Sequence, residues 1–170
     1  MKKIYITAGA SSTFMGPGRK EFNPKKVMPG FEHYLKESID QTLLQVPQAE
    51  FDEGYISNFM ASRFIQQGNL AGFLPHFVPS LLHKPCFRLE GACGSGGLAL
   101  TSAARSILSG LADTALVCGF EIQNTIKALY GADILAGAAY HKQERKHGHA
   151  YFFPELFSQR AGAYYDKTTY

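Results

Sequence analysis

Apolar residues recur at helical spacing in two stretches of this chain. The first runs from Phe31 to Val46, and its apolar positions are separated by charged or polar residues. A period of three to four residues predicts an amphipathic helix there. The second stretch runs from Cys93 to Ser109 and stops before Gly110. Because glycine readily adopts the left-handed conformation that ends many helices, Gly110 predicts the end of a second helix.

Short apolar runs predict β-strands. They cover residues 4–8, 54–59, 86–89 and 112–119. The last run contains consecutive apolar residues from Ala115 to Cys118, which is typical of a strand buried on both faces of a parallel sheet. Strands and helices therefore alternate along the chain, and this alternation predicts an α/β fold.

The other segments carry weaker patterns. Residues 15–30 are rich in glycine, proline and basic side chains, which predicts an exposed loop. Residues 63–77 are mixed, with Gly68 and Gly72 among them, and another helix is expected there before Pro75. Beyond Thr125 the pattern loosens, and a helix that packs through aromatic side chains is expected over residues 152–165.

Composition and charge narrow the class of protein. A length of 170 residues suits about one domain, and 45% hydrophobic with 18% charged residues is ordinary for a folded protein. A net charge of +3 without a basic stripe argues against a nucleic-acid binder. No apolar run is long enough to span a membrane, and the apolar start of the chain suits a strand better than a signal peptide.

The three cysteines are Cys86, Cys93 and Cys118. An odd number without the spacing of a disulfide framework indicates free thiols in a reducing compartment, so we expect a cytoplasmic protein. Cys86 and Cys118 fall within predicted strands and are interpreted as small apolar core residues.

The segment from Glu90 to Leu100 carries the candidate chemistry. It reads Glu-Gly-Ala-Cys-Gly-Ser-Gly-Gly-Leu-Ala-Leu and places Cys93 between a strand and the first turn of a helix. Unpaired backbone N–H groups and the positive end of the helix dipole favour the thiolate form at such a position. Cys93 is therefore a candidate nucleophile, and the same N–H groups suit an oxyanion on a thioester carbonyl.

The helix that follows Cys93 is built from small residues, which are Gly94, Gly96, Gly97, Ala99, Ala103 and Ala104. An interior glycine costs up to about 1 kcal/mol relative to alanine, so the glycines need a structural reason. Close packing of the helix between two layers is the reason that we expect.

Three segments in order, 90–97, 103–113 and 117–121, closely resemble the thiolase superfamily. In that superfamily a Cys-Gly-Ser-Gly or Cys-Ser-Ser-Gly turn starts a buried helix, and a small-Gly-x-Ala-Asp turn and a strand ending Gly-Gly-x-Glu follow. A weaker similarity extends over residues 63–72. Residues 147–165 resemble the start of the inserted loop domain of sterol-carrier-protein-type thiolases.

The resemblance implies a layered α-β-α fold of which this chain holds the N-terminal half only. Residues 1–125 would form the thiolase-like half-domain, and residues 126–170 would begin the inserted loop domain. Cys93 would be the nucleophile, with its backbone N–H in the oxyanion hole. Gly94, Ser95 and Gly96 would be structural residues near the site, and Glu121 would fix loops.

The chain departs from the family pattern within and directly after the third of these segments, 117–121. Phe120 replaces the second glycine of Gly-Gly-x-Glu, and Gln123-Asn124-Thr125 stands where the family has Met-Ser. The motifs that supply the catalytic base and the second acid in the C-terminal half of thiolases do not occur in the sequence.

The function that the resemblance implies is acyl transfer between coenzyme A thioesters through an acyl-cysteine intermediate, in fatty-acid or ketone metabolism. Acyl-CoA would be the substrate, with no separate cofactor and no metal. We expect a complementing C-terminal thiolase-like chain, or else a homo-oligomer, to cover the free sheet edge and the central helix. The alternatives are a non-catalytic scaffold subunit of the same fold and part of a condensing enzyme such as a ketoacyl synthase or a hydroxymethylglutaryl-CoA synthase.

Two other patterns have simpler interpretations. His147-Gly148-His149 lacks a further ligand at metal-binding spacing and predicts a solvated loop. The basic groups near residues 19–26 and 142–146 are more typical of a solvent-exposed surface than of a binding site for coenzyme A phosphates.

Overall fold

A computed structural model of the protein describes residues 3–16, 19–20, 23, 25–145 and 149–168. The α-helices are α1 (Phe31–Leu43), α2 (Ala61–Phe64), α3 (Leu74–Phe77), α4 (Ser95–Ser109), α5 (Ala128–Leu135), α6 (His141–Glu144) and α7 (Phe152–Lys167). The strands are β1 (Glu53–Ser57), β2 (Cys86–Leu89) and β3 (Ala115–Gly119). Short 3-10 turns cover Leu70–Phe73, Pro79–Leu81, Ala92–Gly94 and Ala136–Ala138.

The described residues divide into two compact units. The first contains Met1–Ser62 and Gln67–Glu121, and the second contains Arg63–Gln66 and Ile122–Tyr170. The first unit holds a three-stranded sheet with the order β2-β1-β3, and both strand pairs are parallel. The predicted α/β fold with a parallel sheet is therefore confirmed.

Both faces of the central strand β1 are covered, which makes the first unit a three-layer structure. Successive side chains of a strand point to opposite faces. Tyr55 packs with Ala99 and Ala103 of α4 on one face. On the other face, a β-carbon at Gly54 would lie 2.9 Å from Leu74 Cδ1, so only glycine allows this close approach. The sheet thus lies between α4 and the helical turns around α3, which is the predicted α-β-α layering.

The predicted strand over residues 4–8 does not form. In the described part of the chain, its backbone pairs with no other strand. These residues and the outer strand β3 both line a cavity of about 650 Å³. Since a strand needs a neighbour's backbone groups at hydrogen-bond distance, the open space beside β3 explains the difference. The side chain of Gln45 holds this segment instead, with Nε2 donating to the Gly9 carbonyl at 3.0 Å.

The other predicted elements form with shifted bounds. Helix α1 ends at Leu43 rather than Val46, and β3 begins at Ala115 rather than Ala112. The helix expected among residues 63–77, before Pro75, does not form as one element, because this region holds the end of α2, a 3-10 turn and α3 instead. The left-handed backbone of Asn69 (φ 47°) and a proline at the start of α3 interrupt the helical hydrogen bonds.

The second unit is helical. The predicted helix over 152–165 is confirmed as α7, Phe152–Lys167. Its aromatic contacts are local, since Phe153 touches Phe152 and Phe157 with ring centroids 5.2 and 6.5 Å apart. None of the helices that the structure describes is long and apolar enough to cross a membrane.

Candidate active site

The carboxyl ends of the three strands lie at one edge of the sheet, because all three run in the same direction. Ligands of parallel α/β proteins typically bind beyond this edge. The loops that leave it carry Asn58 after β1, Cys93 after β2 and Glu121 after β3. This edge is therefore the candidate active site.

Cys93 lies in the 3-10 turn Ala92–Gly94, which leads directly into α4. Its side chain is exposed. No acceptor for the Cys93 backbone N–H occurs among the described residues, as is usual for the first N–H groups of a helix. An exposed thiol and an unused N–H donor thus belong to the same residue.

The turn before Cys93 has a strained backbone. Ala92 has a φ of 48°, in the left-handed region that costs an L-residue about 1–2 kcal/mol. Three hydrogen bonds hold this conformation. The Glu90 carboxylate accepts the Ala92 N–H at 2.6 Å, while Ser95 Oγ accepts the Gly91 N–H at 3.0 Å and donates to the Ala92 carbonyl at 2.7 Å. Ser95 is buried, with 5% of its surface exposed.

The glycines near Cys93 do not have the packing role that the sequence suggested. A β-carbon at Gly94, Gly96 or Gly97 would meet no atom within 4 Å. The close contacts of α4 come from Ala99 and Ala103, which are 0% and 5% exposed. The expectation that these glycines serve close packing is therefore wrong for the described chain, because each of the three has open space beside it.

Glu121 joins the ends of two strands. Its Oε2 atom accepts the N–H of Phe59 at 2.7 Å and that of Met60 at 3.3 Å, so a residue after β3 holds the loop after β1. Its assignment as a loop-fixing residue of the site stays a prediction. The neighbouring Phe120 stacks on Phe31 with ring centroids 5.3 Å apart.

Sequence reasoning did not single out Asn58 or Arg88. Arg88 Nη2 donates to Asn58 Oδ1 at 2.7 Å and to the Phe59 carbonyl at 3.0 Å. Asn58 is 2% exposed, and its Nδ2 has no acceptor within the described residues. No motif marks this pair. The available signal was the position of Asn58 directly after a parallel strand.

The other thiols differ from Cys93 in their surroundings. Burial raises the pKa of the Cys118 thiol to about 12. Burial also raises the pKa of Cys86, which lies half-buried in β2. Both cysteines lie within strands, as the sequence predicts, and burial disfavours their thiolate forms.

No general base contacts Cys93 in the part of the chain that the structure describes. Three described histidines have neighbours elsewhere: His33 packs on Tyr34, His76 packs on Phe77, and His149 Nε2 lies 3.4 Å from Glu155. His147 and Gly148 of the His-Gly-His motif fall outside the described residues. Within the described residues, no three potential ligands gather into a metal site.

Comparison with known proteins identifies the family to which this chain belongs. The model of the thiolase N-terminal domain matches residues 5–159. The chain is 31% identical over 115 residues to an acetyl-CoA acetyltransferase of Methanocaldococcus jannaschii, an alignment that covers 68% of this chain and 28% of that protein. It is 30% identical over 116 residues to an acetyl-CoA acetyltransferase of Methanothermobacter thermautotrophicus. That alignment covers 68% of this chain and 29% of that protein. The chain spans less than a third of the length of these relatives, and it belongs to the thiolase superfamily through its N-terminal domain.

Proposed function

We propose that the chain supplies the acyl-accepting cysteine of a thiolase-type acyltransferase that moves acyl groups between coenzyme A thioesters. The observation that carries this proposal is Cys93 itself, an exposed thiol with a free backbone N–H at the carboxyl edge of a thiolase-family sheet. Both named relatives are acetyl-CoA acetyltransferases, which favours acetyl-CoA as the acyl donor.

The proposed step is a transfer between two sulfur atoms. The Cys93 thiolate attacks the carbonyl carbon of the acyl-CoA, and the carbonyl oxygen becomes an oxyanion that the Cys93 N–H stabilises. The bond between the carbonyl carbon and the coenzyme A sulfur then breaks. Free coenzyme A leaves with the proton that Cys93 gave up, and an acyl-Cys93 thioester remains. No separate cofactor or metal takes part.

We further propose that a second polypeptide completes the site. Outside its buried face, α4 exposes large apolar side chains: Leu98 is 46%, Leu100 is 51% and Leu108 is 48% exposed. The glycines of the same helix have open space beside them. The free edge of β3 leaves backbone N–H and C=O groups unpaired. A cavity of about 650 Å³, lined by no charged side chain among the described residues, adds further surface to be covered. Association covers such surfaces, and a C-terminal thiolase-like chain would also bring the missing base.

We infer a cytoplasmic location for this assembly. Cys86, Cys93 and Cys118 are all free thiols, and free thiols persist in reducing compartments.

The direct test is acyl transfer to the purified chain and to its native assembly. Each is incubated with acetyl-CoA, coenzyme A release is followed with time, and the acetylated peptide is identified by mass spectrometry. An acetyl group on Cys93 is expected, and it is lost in Cys93→Ala but kept in the matched control Cys86→Ala. An assembly that leaves Cys93 unacetylated would contradict the proposal and favour the non-catalytic scaffold.

The partner is tested by native mass spectrometry of the protein purified mildly from its own cells. A stoichiometric second polypeptide with thiolase-like sequence is expected. A homo-oligomer without a companion would contradict the proposed second chain.

A further inference from the structure

We infer that Ser95 is a positioning residue that fixes the direction of the Cys93 backbone N–H, an inference that rests on the proposed acyl transfer at Cys93. Ser95 Oγ donates to the Ala92 carbonyl at 2.7 Å and accepts the Gly91 N–H at 3.0 Å. One buried hydroxyl thus holds the Glu90–Gly91 and Ala92–Cys93 peptide units, which lie on either side of the Gly91–Ala92 peptide, and the second of them contains the Cys93 N–H.

Peptide geometry links this hydroxyl to the Cys93 N–H. The Ala92 carbonyl and the Cys93 N–H belong to one planar trans peptide, so they point in opposite directions. A hydrogen bond that fixes the carbonyl therefore fixes the N–H as well. The N–H has no acceptor within the described chain, so it stays available to a substrate oxygen.

The strain of the turn explains why the hydrogen bond from Ser95 Oγ to the Ala92 carbonyl is needed. Ala92 has a φ of 48°, and without restraint its backbone would relax towards ordinary values and rotate the peptide that follows. Ser95 restrains the carbonyl side of Ala92, and Glu90 restrains the nitrogen side through its 2.6 Å contact with the Ala92 N–H. Donors that are already aimed at the oxyanion cost no reorganisation during the reaction.

Ser109 provides a matched control in the same helix. Its Oγ donates to the Ser106 carbonyl at 2.9 Å, three residues earlier, as Ser95 Oγ does to Ala92. The two serines therefore make the same type of hydrogen bond at opposite ends of α4. Only Ser95 lies beside the nucleophile.

The experiment compares two reactions of the Cys93 thiolate. Iodoacetamide alkylates sulfur by direct displacement and forms no oxyanion, whereas p-nitrophenyl acetate acylates sulfur through an oxyanion. Both reactions consume the same thiolate, so the ratio of their rates is independent of its ionisation. The two rates are measured at Cys93 by peptide mass spectrometry in wild type, Ser95→Ala and Ser109→Ala.

Ser95→Ala is expected to lower the ratio of acylation to alkylation by about tenfold, because an oxyanion donor loses its alignment. Ser109→Ala is expected to leave the ratio unchanged. An unchanged ratio in a folded Ser95→Ala protein would overturn the inference. Folding is checked at Cys118, which is 8% exposed and becomes reactive when the sheet opens.

If Ser95→Ala unfolds, Glu90→Ala decides the question, since Glu90 is exposed and holds the other side of Ala92. A lowered ratio in Glu90→Ala supports the inference that hydrogen bonds to Ala92 align the Cys93 N–H, and an unchanged ratio overturns that inference. The outcome is separate from that of the proposed function, because p-nitrophenyl acetate requires no recognition of coenzyme A. A lowered ratio without acetylation by acetyl-CoA would leave the positioning role standing and contradict the acyltransferase.

Discussion

The Tyr55 phenol donates a hydrogen bond of 2.5 Å to Glu53 Oε2, two residues earlier on β1. Residues two apart on a strand share a face, so both side chains point towards α4. Tyr55 and Glu53 are 5% and 7% exposed, which makes this a buried pair in the central strand of the sheet. A buried carboxylate is costly without a partner, and the phenol supplies one.

Tyr55→Phe should destabilise the fold by about 1–3 kcal/mol, because the Glu53 carboxylate loses its donor while it remains buried. The free energy of unfolding is measured by urea denaturation monitored by circular dichroism. Tyr5→Phe serves as the control, since Tyr5 is 71% exposed and its substitution should change nothing. A stability of Tyr55→Phe equal to that of wild type would show that solvent reaches Glu53.

The same pair predicts a loss of stability in alkali. Burial, together with the Glu53 carboxylate, raises the pKa of Tyr55 above its ordinary value of 10.0. The folded protein thus favours the neutral phenol. The stability that Tyr55 contributes in this way is fully present below pH 10.0 and is lost as the pH rises through the pKa of Tyr55 in the folded state. Urea midpoints measured from neutral to alkaline pH should fall less steeply in Tyr55→Phe than in wild type. Parallel curves would contradict the prediction.

The three thiols should react in a fixed order with iodoacetamide at mildly alkaline pH. Cys93 is exposed and should react first, whereas Cys118 should react last because burial raises its pKa to about 12. Cys86 should react between them, since burial raises its pKa as well. Peptide mass spectrometry over time gives the three rates.

Urea is the control for this order, because unfolding gives all three thiols the same solvent access. The differences should therefore disappear in urea. Labelling of Cys118 as fast as that of Cys93 in the native protein would contradict the position of Cys118 in the sheet.

Much of the fold follows from local sequence patterns. Periodicity located α1 and α4, and the unbroken apolar run from Ala115 to Cys118 predicted a parallel strand. The run over residues 4–8 is just as apolar, yet it forms no strand, because pairing depends on a neighbour that local sequence does not specify. The helix predicted among residues 63–77 forms only as short pieces for a related reason, since the left-handed Asn69 and Pro75 divide this region.

The candidate site was predictable only in part. The Cys-Gly-Ser-Gly turn located Cys93 and its neighbours from the sequence alone. The bonds from Ser95 to Gly91 and Ala92 depend on a left-handed alanine, which no spacing rule predicts. The pair of Asn58 and Arg88 lies thirty positions apart and meets only because β1 and β2 are adjacent in the sheet.

Glu121→Ala should loosen the loop after β1. The carboxylate accepts the N–H groups of Phe59 and Met60, and losing it should cost about 1 kcal/mol of local stability. Hydrogen exchange at these two amides should accelerate, while exchange in the middle of α4 stays unchanged. Glu50→Ala, at an exposed position, is the control. Protection of Phe59 and Met60 that survives in Glu121→Ala would show that the backbone holds the loop without this carboxylate.

The glycines of α4 give opposite expectations for the chain alone and for its assembly. A β-carbon at Gly97 would meet nothing within 4 Å, and alanine is the better helix former by up to about 1 kcal/mol. Gly97→Ala should therefore raise the stability of the isolated chain. If a second polypeptide packs against this side of α4, the same methyl group should weaken the assembly.

Gly110→Ala is the matched control, because it makes the same substitution at the end of the same helix. Gly110 has a φ of 80°, which strains any other residue, so alanine there should destabilise the isolated chain by about 1 kcal/mol. Thermal unfolding gives the stability of each variant, and native mass spectrometry of the chain with its partner gives the extent of assembly. A Gly97→Ala chain that is less stable alone would mean that the surface around Gly97 already packs within the chain. A variant that is more stable alone and assembles as well as wild type would place the partner on another surface.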